Sequence, residues 1–284
     1  MPQTPRAPQA AAPLDLAALK TLAVQHQAGV WTVTLNRPEV RNAMSLAMVT
    51  ELRLVLAEAE ATAGSRAVVL RGAGGHFCAG GDIRDMAQAR QRLAAAAPGD
   101  NPMVEVNAAF GELCVAYAGT GLATIAVVEG TVMGGGFGLA CATDVCLAGA
   151  SAVFRLPETS LGLVPAQVGP ILVERIGCSE ARRLAVTGGR IDARAALALR
   201  LVHEVCDDAA TLDAALARVL HQILQNAPGA VAATKALLAR ARFHSPAALV
   251  TEAAEAFSRS VLGDEGVEGT IAFVQKRKPT WAPK

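Results

Sequence analysis

Apolar and polar positions alternate from Thr21 to Leu35 in two short runs that flank Ala28-Gly29, and this period of two predicts a β-hairpin. Asn36-Arg37-Pro38 ends the second strand. Ser45 then precedes a stretch with helical spacing and predicts an N-capped helix to about Ala63. Val68-Val69-Leu70 reads as a short buried strand. A glycine-rich loop from Gly72 to Asp82 follows and opens into a helix near Ile83. Arg92 to Asn101 reads as a mobile connection with Pro98-Gly99-Asp100 as a turn, and an amphipathic helix is predicted from about Met103 to Ala118. Ile125 to Val128 is a second buried strand, Gly134-Gly135-Gly136 opens a helix to about Ala142, and Asp144 to Ala148 returns as a strand.

Strands thus alternate with helices to about residue 206, which predicts an α/β core with largely buried sheets. Beyond Asp207 the strand signal disappears. Helical patterns run to the end, punctuated at Pro228, Pro246 and Gly263. The chain therefore divides into an expected disordered tail (1–19), an α/β core (20–206) and a helical region (207–284).

Composition narrows the functional classes. Of 284 residues, 52% are hydrophobic and 18% charged, enough for a large core. Lys and Arg number 26 against 25 Asp and Glu, so there is no basic excess of the kind nucleic-acid binding requires. Lys276-Arg277-Lys278 is the one basic cluster of note and reads as a solvated helix end. The six cysteines include no Cys-x-x-Cys pair and no His at zinc-ligand spacing, so no metal site is expected and a reducing, cytoplasmic setting is. No apolar run is long enough for a membrane span. The first 13 residues, rich in Pro, Ala and Gln, lack the pattern of a secretory signal.

Three segments carry candidate chemistry. Two are glycine clusters between a strand and a helix: Cys78-Ala79-Gly80-Gly81-Asp82, and Gly130 to Gly136. Glycine allows close approach of backbone to a ligand, and a helix start offers unpaired N–H groups. Neither cluster fits a phosphate-loop or dinucleotide fingerprint. Each alone also reads as a tight turn with no ligand; two together suggest donors converging on one developing charge. The third segment is Leu156-Pro157-Glu158 before Gly162-Leu163-Val164-Pro165, where Glu158 reads either as a cap or as an acid/base group.

In this order and spacing, these segments resemble the enoyl-CoA hydratase/isomerase family, the crotonase superfamily. Leu35-Asn36-Arg37-Pro38 with Asn42-Ala43, Gly75 to Ile83, Gly130 to Gly136 with Leu139-Ala140 and Asp144, Phe154 to Gly162, Thr187-Gly188 with Ala193 to Val202, and Ala272 to Lys278 carry the resemblance. It implies a crotonase-like spiral of ββα units with C-terminal helices that build a homotrimer, often a dimer of trimers. It implies an acyl-CoA thioester as substrate and no separate cofactor. By position, Gly81 and Gly135 supply oxyanion-hole N–H groups and Glu158 the acid/base carboxylate. Ala79, Asp82, Ile83 and Arg84 meet coenzyme A, joined by Phe273 and Lys276 of a neighbouring subunit.

One departure matters. Hydratases of this family often carry a second glutamate where this chain has Gly138. The choice stays open between a hydratase in which Gln167 or His76 holds water, a double-bond isomerase using Glu158 alone, a decarboxylase or hydrolase, and a non-catalytic CoA-binding protein. The segment Arg155 to Gln167 is similar to the isohexenylglutaconyl-CoA hydratase-like branch, which favours the hydratase and a branched glutaconyl-type ester. Met86, Met103, Phe110, Leu113 and Tyr117 read either as acyl-pocket lining or as core.

Overall fold

The computed structural model describes residues 14–95, 97 and 99–283. Residues 1–13 of the expected tail and Pro98 of the expected turn lie outside the described residues. Strands β1 (Leu22–Gln27) and β2 (Val30–Leu35) form the predicted antiparallel hairpin, with Leu22 opposite Leu35. Ala28 and Gly29 both take positive φ, 50° and 77°, the twist that suits a two-residue hairpin loop. Helix α1 (Leu46–Ala61) starts where the sequence predicts, because the Ser45 hydroxyl accepts the Met48 N–H at 3.2 Å. Two carboxylates of α1 also fix the chain before β1. Glu58 accepts the Leu14 N–H, and Glu51 accepts the N–H groups of Lys20 and Thr21. The expected tail therefore ends earlier than residue 19: Leu16–Ala18 form a 3-10 turn, and Leu14, Leu16 and Leu19 pack on the core.

The chain continues through β3 (Ala67–Gly72), α2 (Ile83–Ala94), α3 (Pro102–Gly119) and β4 (Ala123–Val128). Helix α2 runs to Ala94, so the first residues of the expected mobile connection are helical. Then come β5 (Thr131–Met133), α4 (Gly135–Cys141), β6 (Val145–Gly149), β7 (Val153–Arg155), α5 (Val168–Thr187), β8 (Arg190–Asp192), α6 (Ala193–Ala198) and β9 (Glu204–Cys206). Helices α7 (Ala209–Leu224), α8 (Pro228–Ala241), α9 (Val250–Leu262) and α10 (Asp264–Val274) complete the chain.

Six strands form one sheet in the order β1-β2-β3-β4-β6-β9, parallel throughout except for the hairpin. Alternation along its central strands divides the core. Val68, Leu70, Ala126 and Val128 face α1, α3 and α4; Ala67, Val69, Ile125 and Val127 face α7 through Leu212 and Ala215. Both faces are covered, which is why β4 is buried along its whole length. A smaller sheet, β5-β7-β8, was not legible in the sequence; its strands are three residues each, too short to show a period.

Side chains tie the helical region to the core. Lys235 Nζ donates to Asp144 and to the Leu122 carbonyl, both at 2.6 Å, and Arg66 donates to the Trp281 carbonyl; within the region, the Trp281 indole donates to the Gln225 carbonyl. Arg277 of the basic cluster turns back onto Glu268 at 2.7 Å. Phe257, Leu262, Phe273 and Val274 of α9 and α10 remain exposed on the single chain.

Candidate active site

The small sheet assembles the site. Phe77 and Cys78 run beside β5: the Phe77 N–H reaches the Glu129 carbonyl, the Cys78 N–H reaches Thr131, and the Met133 N–H returns to Cys78. On the other side of β5, β7 pairs Met133 with Arg155, and the Gly134 N–H donates to the Arg155 carbonyl at 3.1 Å. Strand register thus delivers the first glycine loop, the second glycine loop and the segment leading to Glu158 to one place.

At the meeting point the two loops touch backbone to backbone. A β-carbon on Gly80 would stand 3.3 Å from the Met133 carbonyl oxygen and 3.8 Å from Gly134 Cα. Both glycines have positive φ, 98° at Gly80 and 46° at Gly134, so the contact and the dihedrals both call for glycine. The next residue in each loop presents a free donor. Gly81 is flanked by two hydrogen bonds to Met44, from the Met44 N–H to the Gly80 carbonyl and from the Asp82 N–H to the Met44 carbonyl. Its own N–H has no acceptor among the described residues. Gly135 is the first residue of α4, so its N–H has no intrahelical acceptor and finds no other one among the described residues.

Glu158 opens a 3-10 turn, Glu158–Leu161, that Gly162 closes at φ 72° and that Thr159 pins by donating to the Ala185 carbonyl. Its Oε1 lies 2.7 Å from the position of a Gly134 β-carbon, while Oε2 is buried with no hydrogen-bond partner among the described residues. Burial pushes the Glu158 carboxyl above the usual 4.5, partly offset by its own backbone N–H. A cavity of roughly 180 Å³ joins these groups, lined by Gly81, Gly135 and Glu158. Met86, Met103 and Phe110 supply much of its apolar wall; Asn107, Asp85 and Gln167 add polar atoms.

The first loop is anchored by buried polar groups. Asn42 donates to the carbonyls of Ala73 and His76 and accepts the Arg37 N–H. Arg37 pairs with Asp82 at 2.8 Å, and Asp82 also caps α2 by accepting the Arg84 N–H at 2.9 Å. Burial pushes the Asp82 carboxyl up, but the bonds from Arg37 and Arg84 outweigh it and hold the group below the usual 3.8. The Ala79 N–H goes to the Arg41 carbonyl. Ile83 is exposed at the start of α2, and Arg84 beside it is exposed and in no ion pair among the described residues.

Not every expected residue reaches the cavity. His76 uses Nδ1 to accept the Thr131 N–H at 3.1 Å; it secures β5 and does not line the cavity. Leu113 and Tyr117 are fully buried core residues. Gly138 is buried behind the wall, where a β-carbon would meet Val168 Cγ2 at 3.0 Å and Phe110 Cζ at 3.4 Å. Phe273 and Lys276 lie outside the cavity lining of the single chain. Sequence reasoning missed Asn107 and Asp85, which line the cavity.

Comparison with known proteins places this chain in a family. The sequence profile described as enoyl-CoA hydratase/isomerase matches residues 25–284. The chain belongs to the enoyl-CoA hydratase/isomerase family. Among curated members of this family, 2,3-dehydroadipyl-CoA hydratase of Escherichia coli is 32% identical over 263 residues, covering 92% of this chain and 98% of that one. Mevalonyl-coenzyme A hydratase SIDH of Beauveria bassiana is 33% identical, covering 90% and 92%. Among solved structures, Pseudomonas aeruginosa AtuE is 53% identical with a TM-score of 0.88, covering 93% of this chain and all of that one. An enoyl-CoA hydratase/isomerase from Marinobacter aquaeolei is 48% identical, also with a TM-score of 0.88. The fold is therefore the crotonase fold of this family, as the sequence resemblance implies.

Proposed function

We propose that this chain is an enoyl-CoA hydratase that adds water across the 2,3 double bond of an enoyl-CoA ester. One observation carries the reading: the half-buried Glu158, whose Oε2 is buried without a partner among the described residues, stands against the loop that presents the N–H of Gly135. In the proposed mechanism the thioester carbonyl oxygen accepts the N–H groups of Gly81 and Gly135. Water forms a bond from its oxygen to C3, and the C2–C3 π pair moves toward C2 and the carbonyl oxygen. Glu158 takes the proton that water loses and returns a proton to C2, so one water is consumed and the carboxylate is regenerated. Negative charge grows on the thioester oxygen in between, and each aligned donor there is worth about 3–4 kcal/mol of barrier. The raised Glu158 proton affinity brings it closer to the working pH, which favours proton transfer in both directions.

Coenzyme A enters as part of the substrate, without a separate cofactor. The backbone around Ala79, Asp82 and Ile83 is the proposed seat of its adenine end, with the exposed Arg84 toward its phosphates. The exposed apolar faces of α9 and α10 support a homotrimer or dimer of trimers, in which Phe273 and Lys276 reach a neighbour's coenzyme A. The similarity of Arg155 to Gln167 to the isohexenylglutaconyl-CoA hydratase-like branch favours a branched glutaconyl-type ester. The hydratase names of the similar E. coli and B. bassiana proteins agree with water addition. Six unpaired cysteines, five of them buried, fit a cytoplasmic enzyme.

A second reading, a double-bond isomerase, draws on Val168 and Phe110 occupying the space beside Gly138, which leaves Glu158 without a second carboxylate there. The deciding experiment offers crotonyl-CoA, a 3-enoyl-CoA, 3-methylglutaconyl-CoA and isohexenylglutaconyl-CoA in heavy-oxygen water and weighs the products. Incorporated heavy oxygen is the expected result. A moved double bond without it establishes the isomerase instead.

A further inference from the structure

Hydration requires a group that holds water, and residue 138 has no side chain to do so. Gln167 lines the cavity and stands at the N-cap position of α5, yet its side chain makes no capping bond. It reaches instead to α3, where Gln167 Nε2 donates to Asn107 Oδ1 at 2.9 Å. One helical turn further along the same face, Gly111 is buried, and a β-carbon there would collide with the Gln167 amide. Glycine is disfavoured relative to alanine inside a helix, so α3 gives up local stability at the spot where the amide lies. The next residue, Val168, fills the space beside Gly138. Two consecutive residues at the head of α5 thus close one polar position and open another.

We infer that Asn107 and Gly111 are positioning residues that form a seat on α3 for Gln167, whose amide holds the attacking water in place of a carboxylate at position 138. The inference rests on the hydratase reading. With one N–H committed to Asn107 and its carbonyl oxygen laid against Gly111, Gln167 keeps a second N–H that can donate to the oxygen of a water molecule. An amide takes no proton at neutral pH, so proton transfer stays with Glu158. The seat therefore governs water addition and leaves thioester binding alone.

The test compares Gln167→Leu, Asn107→Leu, Gly111→Ala and Gln167→Glu in the full chain. Hydration of crotonyl-CoA and 3-methylglutaconyl-CoA is followed, and butyryl-CoA binding is measured by calorimetry. Gln167→Leu is expected to lower kcat about 100-fold and Gly111→Ala and Asn107→Leu about tenfold, with butyryl-CoA Kd unchanged within about twofold. The urea midpoint and circular dichroism of Gly111→Ala separate a loss of rate from a loss of fold. Gln167→Glu is expected to restore hydration over Gln167→Leu, with a rate that rises as the new carboxylate ionises; a purely structural role would not give that pH dependence. Wild-type rates in Gln167→Leu and Gly111→Ala overturn the seat while leaving the hydratase reading intact. A wild-type chain that hydrates neither ester, yet binds butyryl-CoA, overturns both.

Discussion

Glu158 Oε1 lies 2.7 Å from where a β-carbon on Gly134 would stand, so the carboxylate occupies space that only a glycine leaves free. Gly134→Ala should displace it and also strain a backbone held at φ 46°. A misplacement of about 1 Å costs on the order of 100-fold in rate. Steady-state hydration kinetics on folded Gly134→Ala, checked by circular dichroism, should show that loss in kcat.

Glu158→Gln should abolish turnover and leave acyl-CoA binding within about twofold, because the amide keeps the shape but carries no transferable proton. The same variant has a stability signature. Burial raises the folded-state carboxyl above 4.5, so its favourable contribution is complete below that value and is lost as pH rises through the raised value. Scanning calorimetry should find Glu158→Gln melting above wild type at pH 8 and level with it at pH 4. Wild-type activity should rise with pH through a midpoint above the ordinary glutamate value.

Gly135→Pro removes one proposed donor at the first position of α4, where proline is tolerated in a helix. A drop of about 100- to 1000-fold in kcat is expected. A folded variant with wild-type kcat would remove Gly135 from the chemistry.

Gly138→Glu alone should not create a second carboxylate, since Val168 Cγ2 stands 3.0 Å from the new β-carbon. Overfilling of this kind costs about 1–3 kcal/mol, readable as a lower urea midpoint. Gly138→Glu with Val168→Ala should recover the midpoint and raise the rate of crotonyl-CoA hydration above wild type. No gain in the double variant would mean that water is not limiting.

Arg37→Leu leaves Asp82 buried without its cation and should cost about 3 kcal/mol. The wild-type Asp82 carboxyl sits below 3.8, so the stability it contributes is present above that value and fades as pH falls through the lower folded value. The difference between wild type and Arg37→Leu should therefore be full at pH 7 and shrink below pH 4. KM for acyl-CoA esters should rise with the loosened loop.

Helix starts and glycine clusters were legible because they depend on local chemistry. Ser45 caps α1, α2 opens at Ile83 where the first glycine loop ends, and glycine stands at the positive-φ positions of both loops. These are rules about neighbours in sequence. What the sequence did not reveal depends on long-range packing. The strands of the small sheet are stable only beside each other, so no periodic signal marks them. His76 was read as a water-holding candidate, but its Nδ1 accepts the Thr131 N–H and the residue does not line the cavity. Gly111 is an ordinary helical glycine until Gln167, 56 positions later, is laid across it. Leu14 to Leu19 escape the expected tail because Glu51 and Glu58 bind backbone N–H groups there, which composition alone does not disclose.

The bare contact between Gly80 and Gly134 also bears on how this protein can change over generations. Each backbone is held at a positive φ, with the Met133 carbonyl 3.3 Å from a β-carbon at Gly80 and Glu158 Oε1 2.7 Å from one at Gly134, so a side chain is disfavoured at either position. Paired replacement does not help, because each position keeps its own positive φ and its own tight neighbour. A saturation library over both positions, selected for growth on the substrate, should return glycine at each. The surrounding apolar wall at Met86 and Met103 should meanwhile diversify. Novelty in substrate choice would then arise from the wall, with the two touching glycines as its fixed reference point.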